Sequence, residues 1–594
     1  MAIKTQERPQ RWDQPFGQFM TDQDVERLMT IPEIAAIEGN KFPSHIPLEG
    51  ILKNDARIVK YSAGDIVIRE GDYGNSAFLV LDGSLKVVLF PGLPGEMLGR
   101  RIIRKKNIWQ ALKQLWGQRK TPEVRDVERF GSFDQGQHSQ VRETDDLVAA
   151  HVFLQDIPAI LDKNKTVSLG KGALFGELAA LGRTPRTSTI FAETDAELLE
   201  VRWQGLREFR KYDQGWRRTI DQRYRANALN AHLGATTLFS HLNDEDLQEV
   251  ANDTLFETYG KFDWHLTYNM LQSKDKAQGV KDEPVIANQG DYPDGILLVR
   301  AGFARVSIDR GNGHQTLTYL GTGDFYGADE LYRAWQGDSD VSMRVTITAL
   351  GYAEMLRVPT KTVEKHLFAR WSSERQGIRH SSKKERKEIM KLRPVTTFQQ
   401  PAVKRRRLDD FFDRTLTDGA LMEWAVEERF INGTQAMLIN LDRCVRCDDC
   451  VRACAATHDG NPRFIRHGRT FEKWMVANAC MHCADPVCMI GCPTGAIHRS
   501  VSGGMVIIND DTCIGCETCA NSCPYSNIRM VSIRDDIGNS ITDPQNQKPI
   551  LKATKCDLCA DQITGPACVF ACPHDAMKRV DFRETELDEN RSGI

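Results

Sequence analysis

No cysteine precedes Cys444 in this chain of 594 residues, so neither disulfides nor thiolate-bound metal contribute to anything upstream of it. No apolar run approaches the 18 or more residues of a membrane span, and the mean hydropathy of −0.43 is that of an ordinary soluble protein. The formal charge of −3 is too small to steer the whole molecule to nucleic acid or to an anionic membrane. The start, Met1-Ala-Ile-Lys-Thr-Gln-Glu-Arg-Pro-Gln10, has neither the apolar core of an export signal nor an arginine pair. The expected location is therefore cytoplasmic, with no transmembrane segment. Residue sets for substrate chemistry are also lacking. There is no G-x-G-x-x-G after a strand, no nucleophile–base triad and no pterin-scale domain. No catalytic residue is expected, and the length suggests about three to five domains.

What is present is concentrated. All sixteen cysteines lie between Cys444 and Cys572 in four groups of four. They are Cys444, Cys447, Cys450, Cys454; Cys480, Cys483, Cys488, Cys492; Cys513, Cys516, Cys519, Cys523; and Cys556, Cys559, Cys568, Cys572. The first and third groups read C-x-x-C-x-x-C-x-x-x-C, and the other two lengthen only the middle gap. Pro493, Pro524 and Pro573 follow the last cysteine of three groups. This spacing holds [4Fe–4S] clusters of the bacterial ferredoxin type, and sixteen thiolates fill four clusters with none left over. Zinc also uses paired C-x-x-C motifs, but it rarely shows the third and fourth cysteines at these spacings with proline after them. His458, His482 and His574 lie near the cysteines and read as supporting or surface residues, because the thiolates already fill four sites.

Upstream, short β-branched runs at Arg57–Tyr61, Ile66–Glu70, Ala77–Leu81 and Leu85–Phe90 are separated by glycine turns, the signature of a small barrel or jelly roll. Phe175-Gly176-Glu177-Leu178 stands nine residues before Arg186, with a helical turn expected between them. Gly176 permits close backbone approach, the amides opening the turn favour an anion, and the arginine fork suits a phosphate. A surface Glu–Arg pair would explain those two residues alone. The whole stretch, with Gly64–Asp72 and Asp82-Gly83, closely resembles the phosphate-binding cassette of cyclic nucleotide-binding domains. The resemblance implies that Gly176, Glu177, Leu178, Arg186 and Thr187 form a nucleotide site. Glu177 would take the ribose 2′-hydroxyl and Arg186 the cyclic phosphate. Thr187 is compatible with cGMP, and cAMP remains open.

An insertion of about 55 residues separates Phe90 from Asp146. Its Arg100, Arg101, Arg104, Lys105 and Lys106 precede Ile108, Trp109, Leu112, Leu115 and Trp116 at helical spacing, which reads as a helix packing on this protein or on a partner. Leu238–Leu247, Pro284–Asp291 and Ile296–Gly302 repeat the features of the first domain. In this second copy Met343 falls opposite Arg186 and Ala328 opposite Glu177, so a structural or docking role is expected. From Trp371 to Asp410, twelve Lys/Arg face five Asp/Glu without a recognition-helix pattern. That reads as a solvated linker, and no nucleic acid partner is expected.

Cys480-Met-His-Cys483-Ala-Asp-Pro-Val-Cys488-Met-Ile-Gly-Cys492-Pro-Thr-Gly-Ala496 closely resembles the four-cluster electron-transfer subunits that partner molybdopterin or tungsten oxidoreductases. The resemblance implies exchange between groups. Cys454 would complete the cluster of Cys556, Cys559 and Cys568, and Cys572 that of Cys444, Cys447 and Cys450; the second and third groups would exchange likewise.

The expected fold class is multidomain α+β: two jelly-roll cyclic nucleotide-binding-like domains followed by a ferredoxin-like iron–sulfur domain. A polar helical lead-in covers 1–49. The first nucleotide-type domain covers 50–235, with the insertion at 91–146, and its degenerate copy covers 236–370. A basic linker spans 371–432, the ferredoxin-like region 433–582 and a polar tail 583–594. The expected function is electron transfer through four [4Fe–4S] clusters in an oxidoreductase complex, regulated by cGMP or cAMP. Its partners would be a catalytic subunit and an electron donor or acceptor. The alternative is a redox and cyclic-nucleotide sensory regulator acting through protein interactions.

Overall fold

The computed structural model describes residues 12–582 except 111–120, 126–140, 144–149, 261–282, 369–417 and scattered stretches of one to three residues. It divides into two compact units that do not follow chain order. One unit joins 1–220 to 433–580, and the other joins 221–432 to 581–594. Among the described residues no helix is long and apolar enough to cross a membrane.

In the first unit two four-stranded antiparallel sheets form a jelly roll. One runs Ala56–Tyr61, Ala196–Arg202, Ser76–Asp82, Leu174–Phe175; the other runs Ile66–Ile68, Thr189–Ala192, Leu85–Val88, Thr166–Leu169. Side chains alternate across a strand, and here both faces of Ser76–Asp82 are covered. Phe78 and Val80 point between the sheets with Leu198 and Phe175. Ala77, Leu79 and Leu81 point outward into a second core with Leu199 and Val201. That outer core is supplied by the lead-in, which is thus more than a polar extension. Leu28, Ile34, Leu48, Ile51 and Leu52 are fully buried there, against Leu206 and Phe209 of helix Trp203–Tyr212. Thr21 starts the lead-in helix Asp22–Met29 with a reciprocal capping box to Asp24.

The second unit contains a six-stranded antiparallel sheet built on the long strands Gly295–Arg310 and Thr346–Pro359. Its core includes Leu297, Val299, Val306, Met343, Ile347 and Met355. Of the expected linker, 369–417 lies outside the described residues, and Asp418–Glu427 is a helix. Its Glu423 meets the buried Arg305, which also pairs with Glu283 at 3.1 Å.

His232, in helix Asn230–Ala235, has a buried Nε2 without a hydrogen-bond partner. Burial, with Arg300 as a lesser cause, lowers its pKa to about 4. Its folded pKa lies below the unfolded value of about 6.5. The folded state therefore binds fewer protons, and stability present above pH 6.5 is lost as the pH falls toward 4. The expected loss is on the order of 2–3 kcal/mol. Denaturant titrations between pH 7 and 4 should show it, and the His232→Gln variant should lose that part of the pH dependence.

Candidate functional site

Two candidate sites share the first unit. At the nucleotide-type cassette, strand Leu174–Phe175 pairs with Ser76–Asp82, placing Phe175 opposite Phe78. Gly176 then turns the chain at φ +82° into helix Glu177–Gly182. A Cβ at Gly176 would meet Arg186 Nη1 at 2.7 Å, so glycine is required for the close approach as well as for the left-handed backbone. Arg186 is held by its own backbone: its N–H donates to the Asp72 carbonyl at 2.8 Å, and its carbonyl accepts from Gly71 N–H at 2.7 Å. The guanidinium is 7% exposed and donates to the Gly176 carbonyl and, at 2.7 Å, to the Ser76 carbonyl. Burial lowers its pKa to about 10, opposed by Glu200, Asp72 and Glu177, so it remains a cation at neutral pH. Glu177 is 5% exposed and lies within its field. The structure thus brings Gly176, Glu177 and Arg186 together. Leu178 is half-buried, and Thr187 faces solvent.

The second domain reproduces this backbone without its chemistry. Gly290 N–H donates to the Met343 carbonyl and Met343 N–H to the Asp291 carbonyl, both at 2.8 Å, which is the pairing that Gly71 and Asp72 make with Arg186. Met343 is buried in the apolar core where the first domain has a cation. Gly327 turns at φ +99° into helix Ala328–Trp335, so Ala328 occupies the Glu177 position. Burial raises the pKa of Glu330, and its carboxylate accepts from the Tyr326 hydroxyl at 2.7 Å.

In the cysteine region, one backbone device recurs in every group. The residue before the second cysteine is left-handed in each: Arg446, His482, Gly515 and Leu558. Three residues after the last cysteine the chain is left-handed again at Gly495, Ser526 and Asp575. This turn aims main-chain donors at sulfur. Asn527 N–H reaches Cys523 Sγ at 3.4 Å and Ala576 N–H reaches Cys572 Sγ at 3.3 Å, while Arg463 N–H reaches Cys454 Sγ at 3.2 Å.

All sixteen thiols are free of disulfides. Where their mutual fields act, the sets are mixed. Cys454 is acted on by Cys556, Cys568 and Cys559, and Cys450 by Cys572 and Cys444. Cys488 is acted on by Cys523, Cys480 and Cys483, and Cys519 by Cys492, Cys513 and Cys516. Burial pushes up Cys450 and Cys559, to about 11, and Cys519 and Cys568, to about 12. Unligated, these four are held neutral. Four convergent sets of thiols with amide donors aimed at sulfur fit [4Fe–4S] clusters by donor chemistry.

Buried cations complete this environment. Arg579 donates to Cys556 Sγ at 3.0 Å. Lys555 Nζ donates to the carbonyls of Val506 and, at 3.1 Å, Cys556. Lys552 Nζ binds the carbonyls of Asp510 and Cys513. None of these is legible in the sequence, where charge reads as solvated. His458 is buried with Nε2 3.5 Å from Cys559 Sγ and 3.4 Å from Asp557, a contact its position near the cysteines could have suggested. Buried His482 accepts from Val506 N–H at 3.0 Å.

The described part of the insertion lies on the cysteine region. The Gly99 carbonyl accepts from Asn509 Nδ2 at 2.7 Å and Thr512 Oγ1 at 3.2 Å. Arg101 N–H donates to His498 Nε2 at 3.3 Å. Lys106 pairs with Asp561 at 2.8 Å, and Arg125 with Asp459 at 2.9 Å. Most of the expected tryptophan helix, 108 and 111–120, lies outside the described residues; Trp109 is helical and 81% exposed.

Comparison with known families finds a 4Fe-4S dicluster domain over residues 471–538 and a second over 505–580. A Cyclic nucleotide-binding domain matches residues 160–213 and 278–369. Putative electron transport protein YsaA of Escherichia coli (strain K12) is 32% identical over 160 residues, covering 25% of this chain and 92% of that protein. Electron transport protein HydN of the same strain is 33% identical over 162 residues, with 25% and 90% covered. Arsenate respiratory reductase iron-sulfur subunit ArrB of Shewanella sp. (strain ANA-3) is 30% identical over 184 residues, with 24% and 78% covered.

Proposed function

Because the chain belongs, through its cysteine region, to the 4Fe–4S dicluster family of iron–sulfur electron-transport proteins, we propose that it is a cytoplasmic electron-transfer protein holding four [4Fe–4S] clusters. Its nucleotide-type domain regulates that transfer by binding cGMP or cAMP. The observation that supports the first half is that fifteen of the sixteen disulfide-free thiols act on one another in mixed sets, the last cysteine of one group with the first three of another. The ligand sets are Cys444, Cys447, Cys450 with Cys572; Cys480, Cys483, Cys488 with Cys523; Cys513, Cys516, Cys519 with Cys492; and Cys556, Cys559, Cys568 with Cys454. A bound cluster supplies one-electron chemistry. The chain's own groups hold the sulfurs in their anionic form: amides of Arg463, Asn527 and Ala576, and the Arg579 guanidinium. Cys447 and Cys516 are the exposed thiols, with Val445 and Ile514 exposed beside them, and redox partners meet the protein there. A catalytic oxidoreductase subunit is one such partner, a role supported by the likeness to the iron-sulfur component of arsenate respiratory reductase.

At the cassette, Gly176, Glu177, Leu178, Arg186 and Thr187 form the nucleotide site. The buried Arg186 cation takes the phosphate in place of the carbonyls it now binds, and Glu177 the ribose hydroxyl.

Cluster exchange is tested by iron analysis and electron paramagnetic resonance after anaerobic purification. Cys454→Ser and Cys568→Ser are expected to remove the same signal, and Cys450→Ser a different one. Loss of one shared signal in Cys450→Ser and Cys454→Ser would refute the exchange. Calorimetry with cGMP and cAMP tests the nucleotide site. Arg186→Ala should weaken binding by about 10- to 150-fold, the worth of a charge-assisted hydrogen bond. No binding of either nucleotide by the intact chain would remove the regulatory half and leave electron transfer standing.

A further inference from the structure

Segment 69–75 joins strand Ile66–Ile68 to strand Ser76–Asp82 and is a wall common to both sites. On the nucleotide side, Gly71 and Asp72 pair with the Arg186 backbone, Tyr73 bridges to Pro185, and Gly74 lies against the guanidinium. The Asn75 carbonyl accepts at 2.7 Å from Trp203 N–H, where the helix after the barrel begins. On the cysteine side, Tyr73 packs into the cluster of side chains that holds Cys513 and Cys519, with Cys488, Cys492 and Cys523 at its edge. The Arg499 guanidinium lies 5.7 Å from the Tyr73 ring centre. Gly495, in the turn after Cys492, has φ +63°; a Cβ there would stand 2.9 Å from Arg69 Nη1 and 3.0 Å from Asp72 Oδ2. The charges of Arg69 and Asp72 both act on Cys492.

The insertion ties the same corner. Arg100 donates to the Glu70 carbonyl and pairs with Asp72 at 3.1 Å. Its neighbours Gly99 and Arg101 are bonded to Asn509, Thr512 and His498. Arg69, Arg100 and Arg186 all act on or pair with the one carboxylate of Asp72. Arg69 is 6% exposed, and its Nε and Nη2 have no partner, nor has Arg100 Nε. Glu200 and Glu177 also act on Arg186; the atoms of Arg69 and Arg100 left without a partner are donors, and an arriving anion acts on them.

We propose that nucleotide occupancy at Arg186 and reduction of the site held by Cys513, Cys516, Cys519 and Cys492 are energetically linked through segment 69–75. This rests on the function proposed above and assigns its regulation to one site of the four. An anionic phosphate at Arg186 brings negative charge to the wall that Arg69 and Asp72 form beside Cys492. The oxidised state of that site is thereby favoured, and its midpoint potential falls. By reciprocity the reduced protein binds nucleotide more weakly by the same factor.

The test is a redox titration of the full chain followed by electron paramagnetic resonance, with and without cGMP or cAMP, alongside calorimetry. Cys492→Ser identifies the relevant signal. With nucleotide that signal is expected to move to lower potential, by about 59 mV for a tenfold difference in affinity, while the other three stay. Arg69→Gln and, separately, Tyr73→Ala should reduce the shift measured at saturating nucleotide, with calorimetry establishing occupancy in each variant. Binding without a shift, an equal shift of all four signals, or a full shift in both variants overturns the linkage and leaves the proposed function intact. Failure of both nucleotides to bind overturns the linkage together with the regulatory half of that function.

Discussion

Burial of cysteine sulfur is the constraint on which the C-terminal region depends. Cysteines from all four groups enter its two cores, with Met437, Ile439, Phe464 and Met475 in one and Met489, Ile497, Val506 and Ile528 in the other. A buried thiol is a poor hydrogen-bonding group, and a buried thiolate is costly unless charge and donors surround it. The main-chain donors at Cys454, Cys523 and Cys572, and the guanidinium at Cys556, are placed for anionic sulfur. A region built this way reaches its stable state only when its thiols are ligated, so loading and folding are one equilibrium. Its strands are short because cluster-binding loops, rather than sheet cores, fill the interior.

That constraint explains much of the remaining irregularity. Left-handed residues cost free energy wherever they are not glycine, yet Arg446, His482, Leu558, Ser526 and Asp575 adopt that conformation at matching steps of different groups. The repetition ties the strain to a common task, bringing sulfurs and amides to one point. Lys552 and Lys555 serve the same end by binding carbonyls of the loops, so that buried cations stand where negative charge collects. The described part of the first-domain insertion meets this region through polar and main-chain contacts.

Features set by spacing are legible in the sequence. The four cysteine groups, the cassette from Phe175 to Arg186 and the alternating strands of the first jelly roll all follow from local rules. Counting back from Leu198–Val201 and Met355–Val358 sets Met343 opposite Arg186, and the hydrogen bonds to Gly290 and Asp291 show the same register. The rest depends on contacts between distant segments. Nothing periodic announces that Gly99 and Arg101 meet Asn509, Thr512 and His498, because one partner is usually a backbone group. The lead-in reads as polar because its buried residues, Leu28, Ile34 and Leu48, are interspersed with charges on short helices. His458 reads as a bystander since the cysteine count alone gives it no task.

The two nucleotide-type domains differ in what a ligand would meet, and the difference follows the division into units. The domain that shares a unit with the cysteines keeps a buried cation, Arg186, whose hydrogen bonds go to carbonyls that a phosphate oxygen can replace. In the other unit, the same backbone position presents Met343 inside an apolar core, and the Glu177 position presents Ala328. Filling a site with apolar volume stabilises the fold and removes the differential affinity that a switch requires. The Arg186 cation and the Glu177 carboxylate thus stand in the unit that also holds the cysteines. The gathering of three guanidinium groups about Asp72 is costly to a static structure and useful to a responsive one.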